Sequence, residues 1–251
     1  MLEIIDHEIA REIRFARPPV NAFNVELLER LNEALDAARA DSCRAIVLSG
    51  RPGMFTAGLD VPELLTLDRK QMLRGWEVFF GAQARLAAAP IPVAAAITGH
   101  SPAGGAVLAL YCDHRVMAAG KYRIGLNEVQ VGLFPGPIIY GALRRLVGAG
   151  VADRLITGGV LLTPEEALAS GLIDRVTNEN DVVPAALEWA RQMGSLPAHA
   201  VLRTRAMARA DLVNLVANLG RADYEAMNEA WFSAETQSTL RNLVERLRRK
   251  A

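Results

Sequence analysis

The chain of 251 residues has only two cysteines, Cys43 and Cys112, both inside apolar runs. They read as buried free thiols ahead of a bridge or a redox pair. Histidine is also sparse, with four residues. His7, His100, His114 and His199 show no metal-ligand spacing, so no metal is expected. His114, beside Asp113 and two residues after Cys112, reads as a structural hydrogen-bonding group ahead of a ligand. Net charge is absent: 28 basic residues balance 28 acidic ones, which argues against a nucleic-acid or anionic-membrane surface as the main role. No signal core fits an N-terminus carrying Glu3, Asp6, Glu8, Arg11, Glu12 and Arg14. The longest apolar run, Leu86 to Ile97, is too short for a bilayer and contains Pro90 and Pro92. A soluble cytoplasmic protein, most simply a bacterial one, is expected. Phosphate-cradling GxxxxGK[ST] is missing. Gly148-Ala149-Gly150 follows a helical run and lacks the third glycine of a dinucleotide loop. Internal repeats and low-complexity linkers are also missing.

What is present suffices for a large core, since 51% of the residues are hydrophobic. Ile4–Ile5 and Ile9–Phe15 read as a strand pair. Leu27, Leu28, Leu31, Leu35 and Ala38 recur at helical spacing, predicting a helix over Val25–Ala40. Ala45–Leu48 and Val93–Ile97 read as buried strands, Leu67–Ala88 and Ala103–Leu110 as helices. Arg115–Ala118, Tyr122–Ile124 and Leu172–Val176 complete the strands. Thr163-Pro164-Glu165-Glu166 is a capping box opening a helix that Gly171 ends. From Val182 onward only helices are expected, with breaks near Pro197 and Gly220. The fold class is therefore α/β with a helical appendage.

Three features carry chemistry. The loop Met54-Phe55-Thr56-Ala57-Gly58-Leu59-Asp60 follows a buried strand, and its small-Gly-X-Asp turn frees backbone N–H groups to face a ligand. An ordinary turn with Asp60 as a helix cap is the competing reading. Ala103-Gly104-Gly105, after the next buried strand, reads as a close-packed helix start or as a second N–H donor. Two such donors converging on one oxygen make an oxyanion hole. Glu128 stands between Leu126, Val129 and Val131, a poor place for a solvated charge. On the surface it is an ordinary loop acid. Buried, its pKa rises and suits proton transfer.

FTAGLD, the ITGHSPAGGAVLALYCD block and the following NEVQVGLFPG resemble, in that order, the crotonase (enoyl-CoA hydratase/isomerase) superfamily. The resemblance runs from Pro18-Pro19-Val20-Asn21-Ala22 to the Thr239–Leu247 helix. It implies a crotonase-like spiral of ββα units over residues 1–195 and a C-terminal helical region, 196–251, used in trimer assembly. A homotrimer or dimer of trimers follows, in the mitochondrial matrix if the source is eukaryotic. The substrate implied is an acyl-CoA thioester. CoA belongs to that substrate and no separate cofactor is implied.

By the same resemblance, Leu59 and Gly104 supply the oxyanion N–H groups, and Ala57, Gly58, Asp60 and Gly105 shape the substrate site. Relatives that hydrate carry two glutamates. One aligns with Glu128, and the other falls where this chain has Val107. Valine can neither hold nor deprotonate a water, whereas moving a double bond needs one base. The chain looks most like the isomerases of the family, acting in fatty-acid breakdown. Other reactions of the family, hydration or thioester hydrolysis, and a non-catalytic or RNA-binding role stay as alternatives. The lysine that many relatives place after the first loop is replaced by Val61-Pro62-Glu63. Arg44 and Arg51 are the substitutes for the CoA phosphates, with a plain surface role as the alternative. Trp76, Phe79 and Phe80 either line an acyl pocket or pack in the core.

Overall fold

A computed structural model describes residues 1–40 and 43–249. Of the expected C-terminal region, residues 250 and 251 lie outside the described residues. The chain opens with β1 (Leu2–Asp6) antiparallel to β2 (Ala10–Phe15), followed by α1 (Val25–Ala40). A repeating unit then begins: a long strand, a very short strand, and a helix. The first unit is β3 (Ala45–Ser49) and β4 (Gly53–Met54), with α2 (Val61–Leu64) and α3 (Arg69–Ala87). The second is β5 (Val93–Ile97), β6 (Gly99–Pro102) and α4 (Gly104–Leu110). The third is β7 (His114–Ala118) and β8 (Ile124–Gly125), a 3-10 turn at Glu128–Val131, then α5 (Pro137–Val147), α6 (Ala149–Gly158) and α7 (Pro164–Ser170). After β9 (Arg175–Thr177) come only helices: α8 (Val182–Ser195), α9 (Ala198–Ala208), α10 (Ala210–Ala217), α11 (Arg221–Trp231) and α12 (Ala234–Arg248).

The longer strands, together with the three-residue β9, collect in one sheet of order β1-β2-β3-β5-β7-β9, parallel beyond the first hairpin. Short strands collect in a second, parallel sheet of order β4-β6-β8. Successive turns of the chain thus add one strand to each sheet, which is the spiral of ββα units the resemblance implies. Side chains alternate across the large sheet. Ala45, Val47, Ala94, Ala96, Val116 and Ala118 face Val182, Ala185, Ala186 and Ala190 of α8, so small residues let that helix lie close. Ile46, Leu48, Ala95, Ile97 and Met117 belong to the larger core shared with α1 and α3.

That larger core also takes Leu212, Val216, Met227, Trp231 and Leu240 from the C-terminal helices. A buried ion cluster fastens them. Both oxygens of Asp113 accept from Arg205, Oδ1 also from Arg209, and Arg209 reaches the carbonyls of Leu86 and Tyr111. Helix α9 is held to this chain through Arg205, whose side chain is 10% exposed, while its Leu202 and Met207 stay exposed. Among the described residues no helix is long and apolar enough to cross a membrane.

Local chemistry explains the element ends. Thr163 and Glu166 form the capping box, and Gly171 ends α7 at φ 80°. The strand expected from Leu172 starts only at Arg175. The amides of Leu172 and Ile173 both bond back to Ala167, finishing the helix before a ladder can begin. The strand expected over Tyr122–Ile124 starts at Ile124, and the Tyr122 hydroxyl donates to Glu179 instead. Glu128 is not on an irregular loop; it opens the 3-10 turn.

Candidate active site

Both expected donor loops lie at the carboxyl ends of parallel strands, one after β3 and β4, the other after β5 and β6. The first is locked from below by residues 20–23. The Ala57 amide donates to Val20, the Thr56 hydroxyl donates to the Asn21 carbonyl, and the Phe23 amide donates to Gly58. Asn21, itself buried, donates from Nδ2 to the carbonyls of Met54 and Phe55. Gly58 takes φ 83°, a conformation open to glycine, and its amide donates to Thr56 Oγ1 at 3.0 Å. The turn leaves the Leu59 N–H without an acceptor among the described residues.

The second loop turns at Ala103, held at φ 47° and ψ −116°. Such a conformation costs a residue with a side chain about 1–3 kcal/mol. Bonds from its amide to Gly125 and to its carbonyl from the Val107 amide hold it there. Gly104 follows as the first residue of α4, and its N–H also lacks an acceptor among the described residues. An N–H at a helix start is one of the four that the helix itself leaves unbonded.

Leu59, Ala57, Ala103, Gly104 and Glu128 line one cavity of about 120 Å³. Trp76, Phe79 and Phe80 from α3 form its aromatic wall, with Trp76 stacked on Phe80 at 6.1 Å and edge-on to Trp231 at 5.8 Å. Both expectations for these aromatics hold together, since they are buried in the core and face the cavity. The remaining wall comes from Val131, Leu133, Phe134 and Pro135 after Glu128, Ile139 of α5, and Met227 of α11. The run after Glu128 is visible as an apolar stretch in the sequence. Met227 carries no local signal.

Glu128 is the only ionisable residue among the described residues around this cavity. Its Oε2 is shut off from solvent and bonds to nothing, as is Asn127 Oδ1 beside it. Burial in these apolar surroundings pushes the carboxyl up to about 7, opposed only by a backbone hydrogen bond. The apolar neighbours seen in the sequence are only part of the cause. Val129 is 40% exposed, so the cavity wall rather than that flank excludes water.

Other expected site residues lie elsewhere. Asp60 does not line the cavity. It caps α2 through the Glu63 amide and pairs with Arg17 at 2.6 Å. Gly105 sits behind it, where a Cβ would lie 2.6 Å from Ser101 Oγ. Arg44 stands at the start of β3, the end opposite the site, and donates to the Gly194 carbonyl at 3.2 Å. Arg51 lies in a separate polar groove near Glu3, Arg14 and Thr98. Val107 is fully buried in the core and does not reach the cavity. Among the described residues no group of three or more His, Cys, Asp or Glu is placed to hold a metal ion.

Known proteins share this architecture. The family model described as enoyl-CoA hydratase/isomerase matches residues 6–250. Human mitochondrial enoyl-CoA delta isomerase 1 is 33% identical over 239 residues, covering 94% of this chain and 79% of that one. A probable enoyl-CoA hydratase of Mycobacterium avium is 37% identical over 198 residues, covering 76% and 74%. The crystal structure of human mitochondrial Δ3-Δ2-enoyl-CoA isomerase superposes with a TM-score of 0.95 over 99% of this chain and 98% of that one, at 31% identity. A matching fold, a relative 33% identical over nearly the whole chain and a family model spanning residues 6–250 agree: the chain belongs to the enoyl-CoA hydratase/isomerase, or crotonase, family.

Proposed function

We propose that the protein isomerises 3-enoyl-CoA to 2-enoyl-CoA by proton transfer through Glu128. The supporting observation is a cavity with one carboxyl group and two unbonded backbone N–H groups on its walls. Glu128, as carboxylate, takes a proton from C2 of the thioester. The C2 electron pair delocalises into the carbonyl and the neighbouring double bond, giving a dienolate. The N–H groups of Leu59 and Gly104 hold its oxygen. Protonated Glu128 then returns the proton to C4, leaving the double bond between C2 and C3. A carboxyl near pH 7 is matched to this two-way task, because neither form is strongly favoured. Each oxyanion donor contributes on the order of 10²–10³ in rate.

A second reading is hydration of 2-enoyl-CoA, favoured by the likeness to the Mycobacterium avium protein. It needs a second group to activate water, and position 107 offers only a core valine. The test is to incubate the protein separately with 3-enoyl-CoA and 2-enoyl-CoA and read products directly. Interconversion of the two supports isomerisation. Rapid 3-hydroxyacyl-CoA formation with no interconversion overturns it. Trimer assembly belongs to the same proposal. Leu196, Leu202 and Met207 on and beside α9 are exposed in the single chain, the last by 74%, and further copies would cover them. Light scattering in solution checks the mass.

A further inference from the structure

The turn carrying Glu128 is held from the far end of the sequence. Gly132, the residue that follows and caps it, sits at φ 75°, and its amide closes the turn onto the carbonyls of Glu128 and Val129. The Leu133 amide adds a bond to the Glu128 carbonyl at 3.1 Å. The Gly132 carbonyl points away from this turn toward α12, where the hydroxyl of Thr236 donates to it at 2.6 Å. Thr236 is 2% exposed.

The direction of the bonds is forced. A carbonyl only accepts, so Thr236 must donate its single hydroxyl proton to Gly132. Its oxygen is then free to accept from Ser233 Oγ, 3.0 Å away. Ser233 in turn accepts from the Thr236 amide as the N-cap of α12. The cap, two hydroxyls and one carbonyl form a single chain of bonds in which each strengthens the next. No slack is available at its end, because a Cβ on Gly132 would lie 3.2 Å from Thr236 Cα.

We propose that Thr236 is a positioning residue: through the Gly132 carbonyl it fixes the turn that aims the Glu128 carboxyl at the substrate. The inference rests on Glu128 being the base. It goes beyond that reading by placing a determinant of the base's aim on the C-terminal helix, outside the cavity. A reacting group misplaced by about 1 Å can lose on the order of 10² in rate.

Thr236→Val keeps the shape and the buried methyl but removes the hydroxyl. Thr236→Ser keeps the hydroxyl. With 3-enoyl-CoA as substrate, Thr236→Val is expected to lower kcat about tenfold or more while KM stays within twofold. It is also expected to move the midpoint of the acid limb of kcat below that of the parent protein, as water gains access to a loosened Glu128. Thr236→Ser restores both. If Thr236→Val yields too little folded protein, Ser233→Ala, which removes the donor to Thr236, is expected to change kcat and midpoint in the same directions. Unchanged kcat and midpoint in these variants, or a kcat loss that only tracks the unfolded fraction, overturns the inference. Glu128→Gln is assayed alongside. An active Glu128→Gln overturns the base reading and the inference with it; an inactive Glu128→Gln beside a normal Thr236→Val overturns the inference alone.

Discussion

A side-chain carbon added to Gly58 would stand 3.1 Å from the amide nitrogen of Gly104, and one added to Gly104 would stand 3.3 Å from the Gly58 α-carbon. Two loops, each following a different strand, therefore touch backbone to backbone. This contact brings the unbonded N–H groups of Leu59 and Gly104 onto one cavity.

Gly58→Ala is expected to break that contact twice over. Alanine at φ 83° is strained by about 1–2 kcal/mol, and its methyl pushes Gly104 away. The expected outcome is a kcat loss of roughly 10²-fold or more, the value of one oxyanion donor, with a smaller fall in stability. Steady-state kinetics and urea unfolding on the same preparation check both parts. Near-normal kcat would show that the two loops need not meet.

Glu128→Gln is expected to lower turnover by about 10²–10⁴-fold and to stabilise the protein at high pH. The sign follows from the carboxyl lying at about 7 in the fold against an ordinary 4.5. The folded state holds the proton more tightly than the unfolded chain. Stability from this group is thus complete below about 4.5 and is lost as pH rises toward 7, by at most about 3 kcal/mol. Thermal unfolding at pH 5 and pH 8 should show the variant gaining on the parent at the higher pH. In the active parent protein, kcat should rise with pH to a plateau, with a midpoint near 7. An equal stability difference at both pH values would contradict the burial of this carboxyl.

Asp113→Ala tests the fastening of the C-terminal helices. It strands Arg205 and Arg209, whose side chains are 10% and 5% exposed, and leaves the Val93 amide without its acceptor. Removing one partner of such a buried group costs about 3–5 kcal/mol. A shift in the urea midpoint measures it. A cost under about 1 kcal/mol would mean the cluster is as weak as a surface pair.

Val107→Glu would place a carboxylate where relatives that hydrate carry one. In this chain position 107 is fully buried in the core, so a charge there is uncompensated and expected to cost several kcal/mol. Loss of stability without new 3-hydroxyacyl-CoA formation is the expected result. A stable variant that hydrates 2-enoyl-CoA would mean that the core at this position opens readily to the cavity.

Strand β5, the helix over Val25–Ala40 and the Thr163 capping box are readable in the sequence because each is set by its own neighbours. The short strands β4 and β6 are not. They span two and four residues, contain glycine and proline, and exist only because each pairs with a partner from the next turn of the spiral. The pairing of Leu59 with Gly104 came from resemblance, since no local pattern joins two loops. Arg44 shows the limit of nearness in sequence. It adjoins β3 at the end opposite the cavity, roughly 16 Å from the carboxyl ends at about 3.3 Å per residue. Met227 is contributed by packing alone, through α11 lying over α3.

The wall formed by Met227 and the pin formed by Thr236 have a consequence for how the protein is made. Leu59, Gly104 and Glu128 leave the ribosome well before α11 and α12 are synthesised. Until those last helices dock, the spiral exposes the aromatic wall around Trp76 and leaves the Glu128 turn unsupported. The cavity is therefore completed only once α11 and α12 have been made, and a product truncated before α11 would hold Leu59, Gly104 and Glu128 yet no finished cavity.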